Sequence, residues 1–214
     1  MSKVALITGA SGTVGRICTE YFSHNEYDLV VHNVSDGDLT TQEGIASLKK
    51  NAEQKYGRVD VVIHTLGDFV STPLINMSYE DMQRVINTNI TSTLLLTQAL
   101  VPLMQKQGSG RFIFFSAAHA QDATARPRTT LYTIAKSGVA TLTQQLANDF
   151  ATQNITFSCI APTTIEGAEF PLSTPTRTSI TAADLTRTID FLLSSPHTAV
   201  NGTTITLSDG WLPT

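Results

Sequence analysis

The sequence predicts an α/β fold, a doubly wound parallel sheet with helices on both faces, built by residues 1–214 as a single domain. Three observations carry this expectation. Short apolar runs of strand length alternate with longer segments of helical period, a pattern that calls for parallel strands joined by right-handed crossovers. The first apolar run meets a glycine-rich turn that opens a helix. With 214 residues and 41% hydrophobic content, the chain can bury one sizeable core without a second domain.

The opening stretch runs Val4-Ala-Leu-Ile-Thr-Gly-Ala-Ser-Gly-Thr-Val-Gly15, a strand, a turn with Gly9, Gly12 and Gly15 spaced three apart, and a helix continuing through Ile17, Tyr21 and Phe22. Glycines at such a junction let the backbone turn sharply and expose main-chain N–H groups, and a helix N-terminus attracts an anion. The turn, with Ser11, Thr13 and Val14 between its glycines, is therefore a candidate phosphate site. A nucleoside-triphosphate loop is excluded, because no G-x-x-x-x-G-K-[ST] pattern occurs.

Tyr27–Asn33 reads as the second strand, and Asp38-Leu-Thr40 follows so closely that the region between the second and third strands is shortened. A helix from Thr41 to Lys55, capped by Thr40 or Thr41, leads to the strand Val59–His64, which the Leu66-Gly67 turn ends. Ser78-Tyr-Glu-Asp81 has the form of a helix start, and apolar residues recur from Met82 to Met104, predicting one long buried helix closed by Gly108-Ser-Gly110. Arg111–Ser116 is a strand, a polar loop containing Arg126-Pro127 follows, and a helix carries Tyr132 through Phe150. Ile155–Ile160 is a strand stopped by Pro162, Glu166–Ile180 reads as a loop or lid, Thr181 caps a helix through Leu193, and Thr203–Leu207 is the last strand. In such sheets ligands bind at the carboxyl ends of the strands.

A net charge of −4, with the basic residues scattered, argues against nucleic acid as a partner. No apolar run reaches membrane-helix length, and Met1-Ser-Lys leads straight into a strand, so a cytoplasmic protein with no membrane partner is expected. Cys18 and Cys159 lack metal-ligand spacing and read as buried thiols, so no metal is expected.

Tyr132 and Lys136 stand four apart, on one face of a helix. A free phenol titrates near 10, so acid/base work near pH 7 asks for about 4 kcal/mol of preferential phenolate stabilisation. A cation about 4 Å away supplies roughly that much at an effective dielectric near 20. The pair opens a helix directly after the strand ending at Ser116, which places it at the sheet edge that the glycine turn also occupies.

With Thr8-Gly-Ala-Ser-Gly-Thr-Val-Gly15, Asn89 within Asn87-Thr-Asn-Ile-Thr, Gly110-Arg-Phe-Ile-Phe-Phe-Ser116, Tyr132-x-x-x-Lys136, Ala161-Pro162 and Asn201-Gly-Thr-Thr-Ile-Thr-Leu-Ser-Asp-Gly210 in this order, the chain resembles the short-chain dehydrogenase/reductase family over nearly its whole length. The resemblance implies a Rossmann-type sheet and an NAD(P)-dependent enzyme exchanging hydride with a small carbonyl or alcohol substrate. Tyr132 would be the general acid/base, Lys136 would lower its pKa and hold the nicotinamide ribose, and Asn89 would anchor the water of a proton relay. Thr65, Leu66 and Gly67, together with Pro162, Thr163 and Ile165, would line the cofactor, and a homodimer or homotetramer is implied.

The departures from the family pattern are specific. His64-Thr-Leu-Gly67 stands where Asn-Asn-Ala-Gly is usual, and Ser116 is followed by Ala117 where a second, catalytic serine is usual, leaving Ser116 or His119 as the third catalytic group. Asn33 is neutral at the position of the ribose-binding acid, which favours NADP slightly over NAD, and Asp38 with Leu39 would meet the adenine, Leu39 by stacking. The shortened segment also resembles trimmed members similar to dihydropteridine reductase. A non-catalytic NAD(P)-binding sensor or partner of the same fold is the alternative function. A sugar-nucleotide epimerase would share the glycine spacing but carries a larger C-terminal region.

Overall fold

A computed structural model describes residues 2–118, 120, 127–168, 179–194 and 200–210. Six strands, β1 (Val4–Thr8), β2 (Asp28–His32), β3 (Val61–His64), β4 (Gly110–Phe115), β5 (Ile155–Pro162) and β6 (Thr204–Leu207), form one parallel sheet in the order β2-β1-β3-β4-β5-β6. Each predicted strand is present, with ends shifted by at most two residues. The chain order reverses beside β1, and this switch point opens a crevice at the carboxyl edge of the sheet. Thr8 is in register with both His32 and His64, so three strand ends lie level there.

Alternation along β1 divides the core. Val4 and Leu6 pack into a cluster with Leu48, Leu96, Leu100 and Phe157, whereas Ala5 and Ile7 pack with Cys18, Phe22, Leu185 and Ile189. The first cluster is covered by α2 (Gln42–Tyr56), α4 (Ser92–Gln107) and α5 (Thr130–Asp149), the second by α1 (Thr13–His24) and α6 (Ala182–Ser194). Thr41 caps α2, its hydroxyl accepting from Gly44 N at 3.1 Å.

The long helix expected from Ser78 to Met104 is divided. Ser78 caps α3 (Tyr79–Ile86), accepting from Asp81 N at 3.0 Å, but residues Asn87–Thr91 then form a π-helical turn before α4. The cause is local. Thr88, Ser92 and Thr93 donate their hydroxyls to the carbonyls of Arg84, Thr88 and Asn89, and Asn89 Nδ2 donates to Val85 O. A run of side chains bonded to carbonyls four residues back competes with the backbone ladder and lets one turn widen.

The shortening after β2 is also present: Asn33 to Thr41 holds one 3₁₀ turn, Val34–Asp36, before α2 begins. This tight return brings Asp38 O so near α2 that a Cβ on Gly44 would lie 2.0 Å from it, so glycine is required there. Among the described residues no helix is long and apolar enough to cross a membrane.

Phe112 and Phe157 stack across β4 and β5 with centroids 4.8 Å apart and are essentially inaccessible to solvent. Phe112→Ala is expected to cost about 3–5 kcal/mol, read as a lower midpoint in urea denaturation.

Candidate active site

Gly9 takes φ +68°, a left-handed conformation that favours glycine, and Gly12 N donates back to Gly9 O at 3.0 Å. A Cβ on Gly15 would stand 2.2 Å from Gly9 O, so α1 can approach β1 this closely only with glycine there. Thr13 and Val14 occupy the first turn of α1, which holds no acidic residue, and Ser11 is exposed beside it. Unpaired N–H groups at this terminus suit an anion.

The next strand end is tied to the same turn. Thr65 Oγ1 donates to Thr8 O at 2.7 Å, Leu66 packs against the core, and a Cβ on Gly67 would meet Asn89 Oδ1 at 2.4 Å and Lys136 Nζ at 3.0 Å. The π turn thus brings Asn89, and α5 brings Lys136, to one point beside Gly67. Asn89 Nδ2 donates to Asp68 O and Val85 O, while its buried Oδ1 has no hydrogen-bond partner among the described residues.

Tyr132 sits in the first turn of α5, half-buried, with Phe69 edge-on at 4.8 Å. Lys136 is buried, donates from Nζ to Phe115 O at 2.9 Å, and lies 5.7 Å from the centre of the Tyr132 ring. Burial pushes the Tyr132 phenol up to about 12 and the Lys136 ammonium down to about 8. The shift runs opposite to the lowering that the resemblance implies, and the phenol is held protonated at neutral pH.

Ser116 is corrected as well. Its hydroxyl donates to Lys136 O at 2.8 Å and is buried, so it anchors α5 to the end of β4 and is not directed at a reacting carbonyl. The alternative, His119, lies outside the described residues.

Thr163 N donates to Leu207 O, and the segment after β5 continues to Gly167, whose carbonyl accepts from Thr13 Oγ1 at 3.4 Å. Pro162, Thr163 and Ile165 therefore run along the crevice toward the glycine turn. The Ile165 side chain packs in the core, and its carbonyl accepts from Ala168 N at 3.0 Å.

On the far side of the turn, Asn33 lines a cavity of about 340 Å³ with Ala10, Arg16, Glu20 and Val31. Arg16 donates to Ser11 O at 2.9 Å. The sequence motifs do not single out Arg16; its place one residue after Gly15 is the available signal. Leu39 is a correction: it is 2% exposed and packs with Val30, Ile45 and Leu48, so its side chain is no stacking surface for adenine. Asp38 Oδ1 accepts from Thr40 N and Thr40 Oγ1, forming the turn into α2.

A parallel sheet with an anion-binding turn at its switch point and a Tyr–Lys pair at the same edge defines a dinucleotide-type oxidoreductase architecture. The family model described as enoyl-(acyl carrier protein) reductase matches residues 23–211. The chain is 30% identical to glucose 1-dehydrogenase 2 of Bacillus subtilis (strain 168) over 187 residues, covering 76% of this chain and 72% of that one. It is 28% identical to an uncharacterized oxidoreductase of Staphylococcus aureus (strain USA300) over 225 residues, covering 95% and 96%. The NADP-bound structure of ElxO superposes with a TM-score of 0.86 at 23% identity, covering 98% of each chain. The chain belongs to the short-chain dehydrogenase/reductase family and is an oxidoreductase of that class.

Ser116→Ala is expected to lower stability by about 0.5–1.5 kcal/mol by removing a buried hydrogen bond to a carbonyl within α5, seen as an earlier denaturation midpoint.

Proposed function

We propose that this chain is a single-domain, NADP-preferring reductase of small carbonyl compounds, assembled as a homodimer or homotetramer. The observation that carries the reading is the convergence of Tyr132, Lys136, Asn89 and Gly67 at one sheet edge beside the Gly9–Gly15 turn. The residues present suit a nicotinamide dinucleotide: the turn offers N–H groups to its phosphates, and Gly67, with no side chain, leaves room for Asn89 Oδ1 and Lys136 Nζ to sit beside it. NADP is favoured slightly over NAD because Asn33 presents no charge to a 2′-phosphate, while Arg16 and Glu20 bring one charge of each sign to the same cavity.

When bound, the dinucleotide supplies a hydride to the substrate's carbonyl carbon. Tyr132 donates its proton to the carbonyl oxygen, a role for which a protonated phenol is the correct form. Lys136 balances the phenolate left behind, and Asn89 holds its side chain toward the same point. Phe69 bounds the substrate side of the phenol. With Ser116 engaged by Lys136 O, the carbonyl is polarised by Tyr132 without this serine.

That engagement also favours a second reading, a dinucleotide-binding sensor without turnover. The two separate on Tyr132→Phe, which should lower kcat for NADPH-dependent reduction by about 100-fold or more and leave NADPH affinity within a few-fold. Wild-type turnover across a carbonyl panel that is matched by the variant removes the acid role, and dinucleotide binding with no turnover at all establishes the sensor.

Lys136 is held low, at about 8, so its charge is present below that pH and lost above it, while Tyr132 keeps its proton to about 12. The pH profile of kcat/KM for reduction should therefore fall above about pH 8, and Lys136→Arg should move that limb upward in whatever activity remains.

A further inference from the structure

His64 closes β3, is 3% exposed, and makes two side-chain hydrogen bonds that reach opposite halves of the site. Nδ1 lies 2.7 Å from Thr8 Oγ1, on the residue before Gly9, and Nε2 lies 3.1 Å from Ser92 Oγ, the first residue after the π turn. The direction of every proton follows from the partners. Ser92 Oγ donates to Thr88 O at 2.7 Å, so it accepts from His64 Nε2–H; Nδ1 is then a lone pair and accepts from Thr8 Oγ1. Burial and the nearby Lys136 ammonium push the imidazole down to about 3, so this single neutral tautomer persists through the physiological range.

The chain of bonds therefore runs from the glycine turn through His64 and Ser92 to Thr88, whose hydroxyl accepts from Asp68 N, and Asp68 O in turn accepts from Asn89 Nδ2. We propose that His64 is a positioning residue with two separable arms: the Thr8 arm sets the nucleotide-binding turn, and the Ser92 arm sets the π turn that presents Asn89 and holds Gly67–Phe69 over the Tyr132 phenol. The functional part of this proposal rests on the reductase reading above, since only a reaction that joins the glycine turn to Tyr132 needs both halves in register.

The arms are distinguished by side-chain reach. The amide nitrogen of glutamine extends to the place of Nε2 and keeps the Ser92 arm, whereas asparagine reaches only as far as Nδ1 and keeps the Thr8 arm. His64→Gln is expected to raise the NADPH Kd about 10-fold, by fluorescence titration, with kcat within twofold. His64→Asn should leave Kd within twofold and lower kcat about 10-fold. Hydrogen exchange on the dinucleotide-free chain supplies a readout independent of activity: residues 9–15 should exchange about 10-fold faster in His64→Gln, and residues 87–93 about 10-fold faster in His64→Asn. Thr8→Val and Ser92→Ala repeat the two arms should either histidine variant fail to fold. Equal effects of both variants on Kd, kcat and both exchange segments, or no effect on any, overturn the proposal and reduce His64 to a core residue. A wild-type chain that binds no NADPH or turns nothing over removes the reductase reading, and the exchange pattern still decides whether His64 has two arms.

Discussion

The arrangement depends on a buried ammonium. Lys136 sits where water cannot solvate it, and an uncompensated buried charge is costly enough that the group must find protein donors of negative potential or lose its proton. It finds Phe115 O at the end of β4, while its own carbonyl receives the Ser116 hydroxyl. These two bonds, both across the same strand–helix junction, fix α5 on the sheet edge and with it the angle at which Tyr132 leaves the first turn. They also explain Gly67, because a side chain there would press on Nζ and on Asn89. The lowered pKa of Lys136 is the residual expression of the same desolvation.

The π turn is the second half of the construction. An α-helix through residues 87–91 would rotate Asn89 away from its present position, since one extra residue per turn changes the facing of everything after it. Hydroxyls at Thr88, Ser92 and Thr93 stabilise the wider turn by bonding to carbonyls that it leaves poorly served. Among the described residues the buried Asn89 Oδ1 has no hydrogen-bond partner. An unpaired polar atom inside a protein is unfavourable, and such atoms accumulate where a ligand or a water completes the set.

On the adenosine side, compression of the chain after β2 has consequences in both directions. Leu39 is drawn into the core, which removes the stacking surface that the family resemblance assigns to the adenine, while Asp38 stays exposed with one oxygen bonded to Thr40. The cavity at Asn33 and Arg16 lies at the start of the compressed segment, where Asn33 N donates to Asp36 Oδ2.

The sequence by itself determined the sheet, the glycine turn and the Tyr132–Lys136 pair, because apolar period, glycine spacing and a four-residue helical offset are local and survive any packing. It also marked Asn33–Asp38 as shortened, since a missing element is visible as missing length. Only the tertiary structure decided what Ser116, Leu39 and His64 do, whereas the π turn in the helix expected from Ser78 is local in cause but leaves no mark on the apolar period. Ser116 is occupied by a carbonyl twenty residues away, Leu39 by a core drawn from several elements, and His64 by hydroxyls on β1 and α4. The physical reason is common to all three: a polar or apolar side chain takes its role from the partner that desolvates or bonds it, and that partner is brought up by the crossovers of the fold rather than by its neighbours in sequence.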